Sequence, residues 1–469
     1  MRRPSRARSL VLPVVRSSRR ERARTIWDYR QRTAKSGFAS RPSAARHVSG
    51  IFFPQRIPLR IDGGSSSPAV LEKKVLAVAY APSYSIGELV LRKIGGIELT
   101  GRGLNKTAVK IGSEMVVQRD ARTEAYFHQP LPRQHAQPKT PMGLACVSVD
   151  GGRMQTRDEG GGKGVHHPHW RENKNALFLR MKSGCFAFDP HPELPECFAN
   201  RERMKKLLSG VGEGTPPATA AEEAASSASV AEEHVENDWR PERLFRTCLS
   251  SLEDSDAFGR MMEVEADARG FYHAAKKAFV SDGLPYNWTI QQRHFRDFTP
   301  ILDFVHAVEH LYEAARCVDD DAQRRWRDYL RWARDCWGGN VLRVIAELRE
   351  HQRHLGLPPK DCEKTDPRKV LADAIGYFQN NVSRMDYPAY RRQGLPTTSA
   401  YMESFVKEIN ARVKGTEKFW NDGASGEAIL QIRAAALSED DRLSNFLHSR
   451  PGHPFHPNAP RYPSPTAVS

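Results

Sequence analysis

The chain has 469 residues, of which 39% are hydrophobic and 27% charged, and a formal net charge of +15. That length supports two or three domains with their own cores, and the composition is that of a water-soluble protein. Leu10 to Val15, the longest apolar stretch near the start, is short and contains Pro13, so neither a bilayer span nor a secretory h-region is expected there.

The basic character is local. Residues 1–60 hold 16 Lys and Arg against Glu21 and Asp28, whereas the other 409 residues hold 55 basic and 54 acidic groups. A tail of this kind, predicted disordered over residues 1–64, suits contact with a polyanion such as DNA. The same composition also fits an organellar transit peptide or a translation start placed too far upstream.

A helical region is expected over residues 65–128. Ser67-Pro68 starts a helix with Val70, Leu71, Val75 and Val78 on one stripe. Ser85 is read as the cap of a second helix that Gly95-Gly96 stops. Thr100 opens a third, Gly101 to Ile111, with Arg102, Asn105, Lys106 and Lys110 on its polar side. Short helix, short helix, glycine turn and basic third helix is a helix-turn-helix-like pattern, and those four residues are its candidate DNA contacts. A three-helix unit with ordinary solvated charges is the plainer alternative.

Residues 129–142 read as a Pro/Gln/His-rich linker, and the catalytic core as residues 143–306 and 399–450. Leu144 to Val149 is β-rich, Gly151-Gly152 is read as a hairpin turn, and Arg153 to Arg157 as the returning strand. Gly160-Gly161-Gly162-Lys163-Gly164 lacks the Gly-Lys-Ser/Thr ending of a phosphate loop and is taken as a flexible connection. His166-His167-Pro168-His169 has no spaced cysteines beside it and reads as a solvated turn. The seven cysteines form no C-x-x-C pair, which suits a reducing compartment. A further strand region spans residues 171–188, and residues 210–237 are low-complexity sequence read as a disordered insertion. A helix from about Asp254 to Lys277 leads into a strand, Ala278 to Ser281, ending at Asp282. Another strand, Thr299 to Leu302, ends at Asp303. Residues 307–398 form a helical insertion, a glutamate-bearing helix begins near Ser399, and residues 451–469 read as a disordered tail.

Three acidic residues stand out. Asp150 and Asp282 each follow a β-branched apolar run that breaks into glycine, and Glu403 opens a helix. Two strand-end aspartates and a helical glutamate can bring hard oxygen donors around one pocket, as a Mg²⁺ pair acting on phosphodiesters requires. Singly, each carboxylate also fits an ordinary turn or surface position. The element order, with aspartate on the first strand, aspartate after a later strand and glutamate on a late helix, predicts an α/β fold with a ribonuclease H-like core.

Ser148-Val149-Asp150-Gly151-Gly152-Arg153-Met154-Gln155-Thr156-Arg157 resembles the first-aspartate motif of the ISKra group of bacterial insertion-sequence transposases, relatives of the Mutator-like superfamily. Trp170-Arg171-Glu172-Asn173-Lys174 resembles the next strand of that group, and Asp282-Gly283 with Trp288 the second motif. Ile301 to Leu311 is similar to the Asp-x-x-His element, here Asp303 and His306. Arg384-Met385-Asp386-Tyr387-Pro388, Gln393-Gly394-Leu395-Pro396 and Met402-Glu403-Ser404 resemble the approach to the catalytic glutamate. The resemblance runs over roughly residues 65 to 450. Thr398-Ser399-Ala400 departs from the Gly-Ser-Gly more usual before the glutamate.

The resemblance implies a DDE transposase that cleaves double-stranded DNA at terminal inverted repeats and joins the freed 3′-hydroxyl to target DNA. Asp150, Asp282 and Glu403 would hold Mg²⁺, for which Mn²⁺ can substitute, with Asp303 and His306 auxiliary. Trp288 is a candidate for stacking on a base, and Lys407, one turn after Glu403, for a phosphate. The expected partners are transposon-end and target DNA and further copies of the chain on that DNA, and the expected location is a bacterial cytoplasm at the nucleoid. Two rivals remain at this level: a decayed or domesticated DNA-binding copy, and a nuclease of the same fold.

Overall fold

Six strands form one mixed sheet in the computed structural model, which describes residues 68–138, 140–157, 169–205, 239–415, 418–420 and 422–450. The basic tail, the Gly160–Gly164 connection, His166 and His167, the 210–237 insertion and the last 19 residues lie outside the described residues. β1 (Leu144–Thr156) is central. On one side it pairs antiparallel with β2 (His169–Lys182), which pairs antiparallel with β3 (Glu242–Ser251). On the other side it pairs parallel with β4 (Lys276–Ser281), and β4 with β5 (Thr299–Leu302). The order is therefore β3-β2-β1-β4-β5, with a two-residue β6 (Phe419–Trp420) beside the far end of β1. Val147, Val149, Phe279, Val280, Ile301 and Leu302 are all buried, as expected of parallel strands covered on both faces.

Gly151-Gly152 is not a hairpin turn. β1 continues through both glycines to Thr156, and its antiparallel partner is β2, beyond residues 158–168. The glycines serve close approach instead. A Cβ on Gly152 would lie 2.8 Å from the Asn173 amide nitrogen and 3.0 Å from that of Asn175, both on the neighbouring strand. β3 is an element the sequence did not announce, and the helix expected up to Lys277 stops earlier. α4 (Ser255–Ala268) ends before Gly270, whose φ of +68° breaks the helix, and β4 starts at Lys276.

Upstream, α1 (Pro68–Tyr80), α2 (Tyr84–Lys93) and α3 (Gly101–Phe127) form as expected, with two differences. Ser83, rather than Ser85, caps α2 by accepting from the Ile86 N–H at 3.2 Å. Thr100 caps α3 as read, but α3 runs on for 27 residues to Phe127, straight through Gly112 and with no proline to stop it. Its second half packs on α11 (Gly423–Leu437). A Cβ on Gly112 would come within 2.2 Å of the Ala428 carbonyl oxygen, so glycine is what lets the two backbones touch. Buried Arg119 pairs with Glu427, whose carboxylate also accepts from the Ser251 hydroxyl (2.7 Å) and the Leu252 N–H (2.6 Å). Helices 68–127 are thus joined to the sheet layer, not tethered beside it, and Val70–Leu447 forms one compact unit.

The helical insertion begins at Phe304, with α6 (Phe304–Val318), α7 (Ala322–Trp337), α8 (Val341–Leu355) and α9 (Pro367–Asn381) packed around Tyr329, Trp332, Trp337 and Phe378. A short helix, Tyr387–Arg392, leads back towards α10 (Ala400–Val413). Arg391, fully buried, anchors the return. Its guanidinium makes two hydrogen bonds to the Asp189 carboxylate and lies 4.1 Å from the centre of the Trp337 ring. No described helix is long and apolar enough to cross a membrane.

Candidate active site

Parallel pairing between β1 and β4 ends at Val149 and Ser281, so Asp150 and Asp282 are the next residues on adjacent strands. Asp150 thus sits inside β1 but where its parallel neighbour turns away. Its Oδ1 accepts from the Gly151 N–H at 2.6 Å. Burial raises its pKa to about 7, with the Asp282 charge adding to the rise and His306 opposing it.

Asp282 is held from three directions. Its Oδ1 accepts from the Ser281 hydroxyl (3.1 Å), the Leu284 N–H (3.1 Å) and the Asn287 side-chain amide (2.9 Å). Asn287 lies in α5 (Pro285–His294), so the loop after β4 is folded back around the carboxylate. Gly283 permits the fold-back with φ of +97°, and the Tyr377 hydroxyl donates to the Asp282 carbonyl at 2.9 Å.

Asp303 is a junction. The residue is 0% exposed, and its N–H donates to the Ser281 carbonyl at 2.8 Å. Its Oδ1 accepts from the N–H groups of Val305 and Ser399, each at 3.1 Å, and its Oδ2 from the Ser399 hydroxyl (2.5 Å). Asp303 therefore joins three elements: its backbone N–H holds the end of β4, and its carboxylate holds the first turn of α6 and the cap residue of the glutamate helix α10. His306 Nδ1 is 2.8 Å from the same Oδ2. Burial alone would lower the His306 pKa, but the hydrogen bond and charge of Asp303, with Glu309 and Asp282 behind them, raise it to about 10. His306 is consequently an imidazolium at neutral pH.

α10 packs across β1 and carries Glu403 in its first turn. Burial and the Asp303 charge raise the Glu403 pKa to about 7, against the pull of His306 and Lys407. Sequence reading missed Glu309 as part of this neighbourhood. It stands one turn beyond His306 on α6, and burial, then the charges of Asp303, Glu403 and Asp150, raise its pKa to about 7 against His306. Its Oε1 is buried with no hydrogen-bond partner among the described residues. The i,i+3 spacing from His306 was the available signal.

Asp150, Asp282, Asp303, His306 and Glu403 are thus neighbours, together with Glu309. Three carboxyls here share raised pKa values, chiefly through burial and then through the neighbouring negative charges, with the His306 imidazolium opposing the rise. Hard oxygen donors in this state suit a divalent cation such as Mg²⁺, and the Glu309 oxygen without a partner is in keeping with that. The side chains are not drawn into a coordination shell: among the described residues, no three His, Cys, Asp or Glu already stand at metal-holding spacing.

The expected DNA contacts divide. Arg102, Lys106 and Lys110 are exposed at four-residue intervals along α3, Asn105 is half-buried beside them, and Lys407 is exposed on α10. Trp288 is a correction. Only 5% exposed, it packs against Phe279 of β4, with the Arg384 guanidinium 4.4 Å from its ring centre. Its ring is core, with no free face for a base. No protein-family model matches the chain, and no curated protein matches it.

Proposed function

We propose that the chain is a Mg²⁺-dependent DDE transposase, built on a ribonuclease H-like core, that nicks double-stranded DNA at transposon ends and transfers the 3′-hydroxyl to a target. The observation that carries this reading is Asp150 and Asp282 standing next to each other at the end of parallel β1–β4 pairing, with Glu403 delivered by the helix that crosses β1. The strand order β3-β2-β1-β4-β5, antiparallel in its first half and parallel in its second, supports the ribonuclease H-like assignment. The exposed Arg102, Lys106 and Lys110 stripe supports duplex binding by the upstream helices.

Asp150, Asp282 and Glu403 would hold Mg²⁺, which supplies charge neutralisation for the attacking and leaving oxygens when bound. The protein's own groups do the positioning. Asn287, Ser281 and the Leu284 N–H fix the Asp282 carboxylate, and Asp303 fixes the first turn of α10 and hence the backbone of Glu403. His306, as imidazolium, compensates part of the acidic cluster and holds the Asp303 carboxylate through its Nδ1. Glu309 adds a fourth carboxyl to the pocket wall.

The test is strand cleavage of a labelled duplex that carries the DNA flanking the coding sequence. The parent protein should produce a nick with a free 3′-hydroxyl at an inverted repeat in Mg²⁺, and none in EDTA. A protein that binds such ends without ever cleaving them would instead be a non-catalytic DNA-binding protein.

A further inference from the structure

Immediately after Asp150, the chain leaves an opening that other side chains fill. Gly151 pairs with Lys174 on β2, and Glu172, two residues earlier, shares the face of Lys174. A Cβ at Gly151 would lie 3.1 Å from Glu172 Oε1 and 3.7 Å from the Tyr286 hydroxyl, so this group sits directly on the β1 backbone beside the carboxylate cluster. Tyr286 comes from the start of α5, four residues after Asp282.

The three side chains are linked through one carboxylate. The Tyr286 hydroxyl donates to Glu172 Oε1 at 3.1 Å, and the Lys174 ammonium to Glu172 Oε2 at 3.2 Å. The ammonium also lies 5.7 Å from the centre of the Tyr286 ring. Burial is uneven. The Lys174 side chain is 9% exposed, whereas that of Glu172 is 44% exposed. The ammonium is walled in and Tyr286 is half-buried, while the anion that bridges them faces solvent. A buried ammonium is costly without a counter-charge, which favours an anion at this place.

A carboxylate bridging two donors through two oxygens on one atom presents the same acceptor pattern as the non-bridging oxygens of a phosphodiester. We propose that Lys174 and Tyr286 form a seat for a DNA backbone phosphate beside Asp150, and that Glu172 fills this seat in the free protein and yields it when the strand enters. The inference rests on the transposase reading of the carboxylate cluster and adds to it the residues that receive the strand. Tyr286 stays protonated throughout: burial and the Glu172, Asp282 and Asp150 charges all raise its pKa, so it serves only as a donor.

The experiment is a fluorescence-anisotropy titration of the full chain with a duplex oligonucleotide in EDTA, at several salt concentrations, so that binding is read without cleavage. Glu172→Gln should bind about three- to tenfold tighter than the parent, because one negative charge has left the seat. Lys174→Gln should bind about tenfold more weakly, with the slope of log K against log salt shallower by about 0.9, the loss of one phosphate contact. Tyr286→Phe should weaken binding by about threefold, the value of one neutral donor. Should Lys174→Gln fail to fold, the gain in Glu172→Gln still decides. A purely structural lock predicts the opposite pattern: lower melting temperatures for all three and unchanged DNA affinity. That pattern, in a parent that binds DNA, overturns the seat and leaves the transposase reading standing. A parent that binds no duplex overturns both.

Discussion

Glu403→Gln should abolish strand cleavage in Mg²⁺, with a loss of several orders of magnitude, while leaving DNA binding at or above the level of the parent. The substitution keeps length, shape and helix propensity and removes one negative charge from the pocket. Folding should not suffer. Glu403 has its pKa raised from 4.5 to about 7, so its ionised form is disfavoured in the folded protein. The sign comes from linkage: the folded state holds the proton more tightly than the unfolded chain. Without divalent metal, the parent should therefore lose stability as pH rises from about 4.5 through about 7, and Asp150, raised from 3.8 to about 7, should act in the same direction. Glu403→Gln should flatten that fall. Melting curves from pH 4 to 9 in EDTA check the stability claim, and a cleavage assay checks the catalytic one. Activity within a few-fold of the parent would remove Glu403 from the metal site.

The second large effect is on stability. His306→Ala should destabilise the protein by about 3 kcal/mol or more, because it strips the cation from an Asp303 carboxylate that is 0% exposed. The N–H groups of Val305 and Ser399 and the Ser399 hydroxyl would still donate to Asp303, which keeps the loss towards the lower end of the range for broken buried pairs. The pair has its own pH signature, opposite in origin to that of the carboxyls. A His pKa raised from 6.5 to about 10 contributes stability that is full below 6.5 and disappears as pH climbs through 10. Urea unfolding at pH 6 and pH 10 should show the parent and His306→Ala differing strongly at the first pH and much less at the second. A loss below about 1 kcal/mol at pH 6, the range of exposed ion pairs, would make His306 a solvated side chain.

The strand places of the two aspartates were legible because a short β-branched run is a local signal, and at Asp282 the following glycine does mark a special backbone position. The two glycines after Asp150 carry no such local meaning. Gly151-Gly152 reads as a turn until the partner strand is known, since the reason for Gly152 is the close approach of Asn173 and Asn175, more than twenty positions away. β3 was hidden because Glu242–Ser251 contains Thr247 as its one β-branched residue and is held by pairing with β2, which propensity does not report. The start of α3 was legible in Thr100, but its packing was not. Arg119 and Gly112 look like a surface residue and a weak point in a helix, and their meaning lies in Glu427 and Ala428, over three hundred residues on. Trp288 shows the converse limit: its sequence context is the same whether the indole faces DNA or the core. Glu309 lies on the same helical stripe as His306, yet a glutamate at that spacing is equally an ordinary solvated partner, and only burial sets it apart.

Under the proposed function, Asp150, Asp282 and Glu403 together make a divalent-metal site. Titration of the purified full chain with Mn²⁺, monitored by electron paramagnetic resonance of the free ion, tests it without DNA and without turnover. The parent should bind Mn²⁺ saturably at pH 8, above the raised pKa values of Asp150 and Glu403, with competition by Mg²⁺ and loss of that binding in Asp150→Asn and Asp282→Asn variants that melt like the parent. Mn²⁺ binding that is equal in parent and both variants would contradict it.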